Sequence, residues 1–212
     1  MPHLYRKISE ALIRGNIAEI KRLTQQALDE GIQAYEILEN GLFTGMDIVG
    51  QRFKACEIYI PEVLLSAKTM QAAMDIVRPL LSESDAIGVG TVVIGTVEGD
   101  LHNIGKDLVA MMLEGTGFRV IDLGVDVKAR DFVEAAKAHK PHILGMSALL
   151  TTTMPKMRET ISALEEAGIR DQIKVMAGGA PINQGYADEI GADAYGADAG
   201  EAAEKAKALL KH

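Results

Sequence analysis

The chain has 212 residues, enough for one large domain or two modest ones with cores of their own. Its composition, 48% hydrophobic and 25% charged, is that of a globular protein. A net charge of −8 and a pI near 5.2 argue against nonspecific binding to polyanionic nucleic acid. No apolar run approaches the ~18 residues that span a bilayer. The opening Met-Pro-His-Leu-Tyr-Arg-Lys lacks a secretory apolar core. A single cysteine, Cys56, rules out an intrachain disulfide framework, so a reducing, cytoplasmic location is expected, with no membrane partner.

The first third reads as helices only. Tyr5 to Arg14 is a short amphipathic stretch stopped by Gly15-Asn16, and Ile17 to Glu30 continues it up to Gly31. Ala34 to Phe53 spaces Ile37, Leu38, Leu42, Met46, Val49 and Phe53 at three- and four-residue steps, which predicts one long helix. Pro61 suits the first position of another, having no N–H to leave unpaired, and Val63, Leu64, Ala67, Met70, Met74 and Val77 form its apolar face. Short links between four helices predict an antiparallel bundle over residues 1–81. The stretch from Arg78-Pro79 to Gly88 breaks the pattern with a proline and a polar centre, placing a linker at 82–90.

Over 91–212 strand and helix alternate. Strands are expected at Val92 to Val97, Phe118 to Leu123, Ile143 to Ser147, Lys174 to Ala177 and Ala194-Tyr195. Helices are expected at Lys106 to Gly115, Lys128 to His139, Met154 to Ala167, Asn183 to Ile190 and Glu201 to Leu210. Regular β-α alternation with continuous apolar strands predicts an α/β domain, a five-stranded parallel sheet of flavodoxin-like (Rossmann-like) form covered on both faces. Such sheets bind ligands beyond the carboxyl ends of their strands, so functional residues should follow strands.

Among the post-strand loops, Glu98-Gly99-Asp100-Leu101-His102-Asn103-Ile104-Gly105-Lys106 carries the most chemistry. An imidazole bound to a metal through one nitrogen usually donates its other N–H to a carboxylate, and Asp100 is spaced for that. Ser147, ending the neighbouring strand, is placed to hydrogen-bond the carboxylate in turn. The plain alternative is a solvated loop histidine beside a helix-capping aspartate, as His3, His139, His142 and His212 read. Thr152, Thr153 and Cys56 receive no role, and Met46, Met70 and Met74 read as core.

The string Gly99-Asp100-Leu101-His102-Asn103-Ile104-Gly105-Lys106 resembles the Asp-x-His-x-x-Gly signature of the cobalamin-binding (corrinoid) methyl-carrier family. Ser147-Ala148-Leu149 and Gly178-Gly179-Ala180 resemble that family's second and third elements, after different strands and in family order. The helical stretch Gly50 to Pro61 is similar to the cap of methionine synthase and of the small corrinoid proteins of methanol, methylamine, betaine and aryl-ether demethylation.

The resemblance implies a cobamide whose cobalt takes His102 as lower ligand, with Asp100 and Ser147 completing a proton-coupled relay. Gly99, Ile104 and Gly105 would belong to the same binding loop. Leu149 and Thr151 would line a pocket for the displaced nucleotide tail, Gly178, Gly179 and Ala180 would let backbone approach it, and Phe53 and Ile60 would cover the upper face. It further implies a carrier that accepts a methyl group from a substrate:corrinoid methyltransferase and delivers it to a pterin or thiol through a methylcorrinoid:acceptor methyltransferase, with a reductive activator. One cysteine and dispersed histidines cannot build the zinc site of a thiol-activating methyltransferase, which leaves the transfers to partners. A radical-mutase cobalamin subunit and a cobalamin-dependent sensor stay open as alternatives. The cap stands against the first, and the acidic chain without a basic helix-turn-helix against the second. A generic nucleotide binder would need no Asp100-x-His102.

Overall fold

The computed structural model describes residues 2–81 and 89–210. The expected linker therefore lies, through residue 88, outside the described residues, as does His212. The described residues divide into two compact units, one holding those up to Leu81 with Gly115–Gly117, the other Val89–Glu114 and those from Phe118 onward. Among the described residues no helix is long and apolar enough to cross a membrane.

The first unit is a helical bundle. Helix α1 (Pro2–Ile13) ends at Gly15, and α2 (Ile17–Asp29) starts from Asn16, whose side chain accepts from the Glu19 N–H at 3.0 Å. The helix expected over 34–53 is present but not regular: α3 (Ala34–Ile37) passes through a π-helical segment, Leu38–Phe43, into α4 (Thr44–Lys54). A π turn loosens the backbone ladder. Two side chains serve carbonyls there: Asn40 Nδ2 donates to Glu36 O and Thr44 Oγ1 to Glu39 O, both at 3.2 Å. Helix α5 (Ile60–Val77) has Pro61 in its first turn, and Glu62 Oε2 accepts from the Tyr59 N–H at 3.0 Å. Ile8, Leu12, Ile20, Leu23, Ile37, Leu42 and Met46 are the largest fully buried side chains of this helical unit.

In the second unit β1 (Gly90–Thr96), β2 (Phe118–Asp122), β3 (Ile143–Ser147), β4 (Lys174–Gly178) and β5 (Ala194–Gly196) form one parallel sheet in the order β2-β1-β3-β4-β5. The connecting helices are α6 (Ile104–Gly115), α7 (Ala129–His139), α8 (Pro155–Glu166) and α9 (Gln184–Ile190), with α10 (Ala199–Leu210) last. Phe132 and Ala136 of α7, Met157, Ile161 and Leu164 of α8 and Ala187 and Ile190 of α9 share one core with Val93, Leu144 and Val175 of the sheet. The strand order reverses between β1 and β3, the switch point at which such sheets open a crevice. Register pairs Thr96 with Ser147 and Ser147 with Gly178, so the loops after β1, β3 and β4 leave the sheet side by side.

The opposite end of the sheet is tied by Asp193. Its carboxylate accepts from the Val175 N–H and Arg170 Nη2, both at 2.8 Å, and pairs with Lys174 Nζ at 3.4 Å. Burial alone would raise its pKa, but the Val175 N–H and the Arg170 charge more than offset that and hold it below the usual aspartate value. A carboxyl depressed in the folded state contributes stability that is fully present above the unfolded pKa of about 3.9 and is lost as pH falls through the folded value. Asp193→Asn should therefore cost about 2 kcal/mol at neutral pH, the scale of charge-assisted hydrogen bonds. The gap to wild type should close below about pH 4. Urea melts at neutral and acid pH check this; a gap that widened on acidification would contradict it.

Candidate functional site

The loop between β1 and α6 is fastened on several sides before any ligand is considered. Thr96 Oγ1, at the end of β1, donates to His102 O at 3.0 Å. Gly99 sits at φ +80°, and its N–H donates to Asp126 Oδ1 at 2.7 Å; the Asp126 N–H returns a bond to Asp100 O at 3.0 Å. A loop held this way presents side chains at fixed positions, which is what a preorganised site requires.

Asp100 is the centre of the arrangement. It is 0% exposed, and its two oxygens accept from five donors. Oδ1 takes the His102 N–H at 3.1 Å and His102 Nδ1 at 2.7 Å. Oδ2 takes the Leu149 N–H at 2.7 Å, the Leu150 N–H at 3.2 Å and Thr153 Oγ1 at 2.8 Å. Burial pushes its pKa up, but the bonds from His102, Leu149 and Thr153 outweigh it and hold the carboxyl well below the usual carboxylate range. An ionised carboxylate only accepts. His102 Nδ1 must then carry the proton of that 2.7 Å bond, which leaves Nε2 as the ring's lone-pair nitrogen whenever the imidazole is neutral. The His102 side chain is 52% exposed, and among the described residues no hydrogen bond engages this nitrogen.

These distances separate the sequence expectations. Asp100 and His102 meet as expected, and Asp100 is not the helix cap of the plain alternative, since its bonds run across two loops. Ser147 does not complete the relay. Among the described residues its side chain makes no hydrogen bond to Asp100, and Thr153, which had no assigned role, makes it instead. The reason is geometric: Ser147 is still in strand β3, paired with Thr96 and Gly178, while the chain beyond it curls through a turn, Thr153 N–H to Leu150 O at 3.1 Å. That curl returns Thr153 to the carboxylate. The Thr153 hydroxyl also lies 2.9 Å from Leu150 O, but it has one proton, and an ionised oxygen is the stronger acceptor.

Around His102 the side chains of Leu101, Ile104, Leu149 and Leu150 are exposed, Leu101 by 71% and Ile104 by 69%. Gly105, Thr151 and Ala180 are exposed, Gly178 half-buried. Gly179 adopts φ +126°, and a Cβ there would lie 1.9 Å from Ala148 O. The glycine is therefore required by the chain's own packing, whatever binds beside it. Within the helical unit Ile60 is exposed and Phe53 half-buried, while Met46 and Met70 are core. His142 Nδ1 accepts from the Thr91 N–H at 3.1 Å at the other end of β1.

The donor set fits a corrinoid. A lone imidazole nitrogen suits a metal that brings the rest of its coordination sphere with it, and the exposed apolar residues around it suit a large, largely apolar macrocycle.

Comparison with known proteins agrees. Two family models, each described as a B12 binding domain, match residues 90–210 and 4–78. The chain is 47% identical over 190 residues to trimethylamine corrinoid protein 1 of Methanosarcina acetivorans, covering 89% of this chain and 88% of that one. It is 42% identical over 212 residues to monomethylamine corrinoid protein 2 of the same organism, covering 98% of each. The structure resembles one chain of the methanol:cobalamin methyltransferase complex from Methanosarcina barkeri, with TM-score 0.87 and 31% identity, covering 98% of this chain and 80% of that one. On the shared helical and α/β architecture, the post-strand elements and these identities, the chain belongs to the B12-binding corrinoid protein family.

Proposed function

We propose that this chain is the methyl-carrying corrinoid protein of a methyltransferase system, holding one cobamide with His102 Nε2 as the protein ligand to cobalt. The observation that carries the proposal is the Asp100–His102 pair, 2.7 Å apart, with the imidazole half-exposed and its second nitrogen unengaged among the described residues. When bound, the cobamide supplies a cobalt able to take up and release a methyl group.

The chain's own residues do the rest. Asp100, anchored by Leu149, Leu150 and Thr153, orients the imidazole and keeps a proton on Nδ1. Thr153 takes the relay place first given to Ser147 and can pass a hydrogen bond between Asp100 Oδ2 and Leu150 O. Gly99 and Gly105 frame the binding loop, and Leu101, Ile104 and Leu149 offer apolar contact. Thr151, Gly178, Gly179 and Ala180 are proposed to meet the nucleotide tail. The assignment of Phe53 and Ile60 to the upper face rests on the family resemblance.

The proposed partners are a substrate:corrinoid methyltransferase, a methylcorrinoid:acceptor methyltransferase and a reductive activator, in the cytoplasm and without nucleic acid or membrane. The relatives' names span tri-, di- and monomethylamine at similar identity, so a methylated amine is the donor class they favour. Choice among amines belongs to the partner.

Purified protein incubated with hydroxocobalamin should retain about one cobamide per chain through gel filtration, with the spectrum of a cobamide that has released its own base for a protein histidine. A colourless protein after the column would end the proposal.

A further inference from the structure

Lys106 sits one turn beyond His102 with a side chain only 1% exposed, in the first turn of α6, where the helix dipole disfavours a cation. Its Nζ lies 2.6 Å from Asp107 Oδ1 and 2.5 Å from Asp122 Oδ2. Burial pulls its pKa down, but these two carboxylates more than offset that and raise it. Stability by itself does not require such a group, because replacing a buried ion pair with well-packed apolar residues is often neutral or stabilising.

What the ammonium does is visible in where its two partners lead. Asp107 Oδ2 accepts from Asn103 Nδ2 at 3.0 Å, and the Asp107 N–H donates to Asn103 O at 2.8 Å. On the other side, Asp122 Oδ1 accepts from the Gly124 N–H at 2.8 Å and Gly124 O accepts from the Thr96 N–H at 3.0 Å; Thr96 Oγ1 in turn donates to His102 O at 3.0 Å. Both routes start at one charge and meet on the C-terminal side of residue 102, one at its own carbonyl and the other at Asn103.

We propose that Lys106 is a positioning residue: through Asp107 and Asp122 it fixes the His102 loop between β1, the end of β2 and the start of α6, and so sets the imidazole for its metal. This deepens the function proposed above and rests on it. Neither Lys106 nor Asp122 touches the ligand; their effect passes through the backbone of residues 102 and 103.

Lys106→Met and Asp122→Asn should keep the circular dichroism of wild type. Amide exchange in the ligand-free protein over residues 98–104 should speed up by about tenfold, and the affinity for hydroxocobalamin should fall by about tenfold, the lower end of losses on removing support from a metal ligand. With isotopically labelled histidine, electron paramagnetic resonance of the reduced, cobamide-loaded protein should show a smaller histidine-ligated fraction. Asp193→Asn, which breaks an ion-pair cluster at the other end of the sheet, should change none of these readouts. Folded variants with wild-type exchange, affinity and ligated fraction would overturn the proposal. So would a control that moved them equally, or a failure of both variants to fold, since Lys106 would then serve the fold as a whole. Should wild type itself bind no cobamide, the function proposal falls, and amide exchange still decides whether Lys106 holds the loop.

Discussion

His102→Ala should abolish histidine ligation of a bound cobamide and weaken its retention by about 10–100-fold, the range seen when a metal site loses its support. The fold should survive. The side chain is half-exposed, and Asp100 keeps its bonds from the Leu149, Leu150 and His102 backbone N–H groups and from Thr153. Loss of the single charge-assisted Nδ1 bond should cost about 2 kcal/mol. The check is an absorbance spectrum of the loaded variant beside a titration with hydroxocobalamin. Unchanged spectrum and affinity would make His102 a bystander and send the search to another histidine. His142 would be a poor substitute, since its Nδ1 is engaged by the Thr91 N–H at the start of β1, away from the loops that follow the strands.

The sheet was legible because its strands are short, continuous apolar runs; Ile143–Ser147 falls where the sequence puts it, and Lys174 to Ala177 lengthens by one residue. The long helices were legible in position but not in detail. A π segment at Leu38–Phe43 leaves the three- and four-residue spacing of apolar side chains almost intact, so periodicity reads straight through it. Of the expected face of α5, Val63, Met70 and Val77 are buried while Leu64, Ala67 and Met74 are only half-buried, and Ser66, Thr69, Ala72 and Ala73 are buried as well. Small residues let helices approach, and Thr69 satisfies its hydroxyl on its own helix, at Leu65 O, 2.8 Å away.

At the site, what is local in sequence could be read and what depends on chain curvature could not. Asp100 and His102 are two residues apart, a spacing that allows them to pair, and the family resemblance singled that reading out from a solvated loop histidine. Thr153 reaches Asp100 from 53 residues away, and Lys106 reaches Asp122 across 16. Three consecutive threonines follow β3, and only the turn that brings the third against the carboxylate distinguishes it from its neighbours.

Asp100→Asn should be more damaging than its near-identical shape implies. The carboxylate is buried and every bond it makes is accepted, whereas an amide carries two N–H donors of its own. With the amide nitrogen in place of Oδ2, it would confront the Leu149 and Leu150 N–H groups and Thr153 Oγ1. The threonine can respond by donating to Leu150 O and accepting from the amide, but the two backbone N–H groups cannot turn. Two buried donors left unpaired cost about 1–3 kcal/mol each, so a loss of about 2–6 kcal/mol is expected. With the nitrogen in place of Oδ1, the Leu149, Leu150 and Thr153 bonds survive, and the conflict moves to the His102 N–H and Nδ1. The imidazole can relieve that only by accepting at Nδ1, which puts the proton on Nε2 and blocks the nitrogen proposed to meet cobalt. Either orientation therefore sacrifices something measurable: stability of the ligand-free protein in the first, histidine ligation in the second. Urea melts of the ligand-free variant and the spectrum of the loaded one separate the two. A variant as stable as wild type and ligated as wild type would mean that the charge of Asp100 is not what holds His102 in its tautomer.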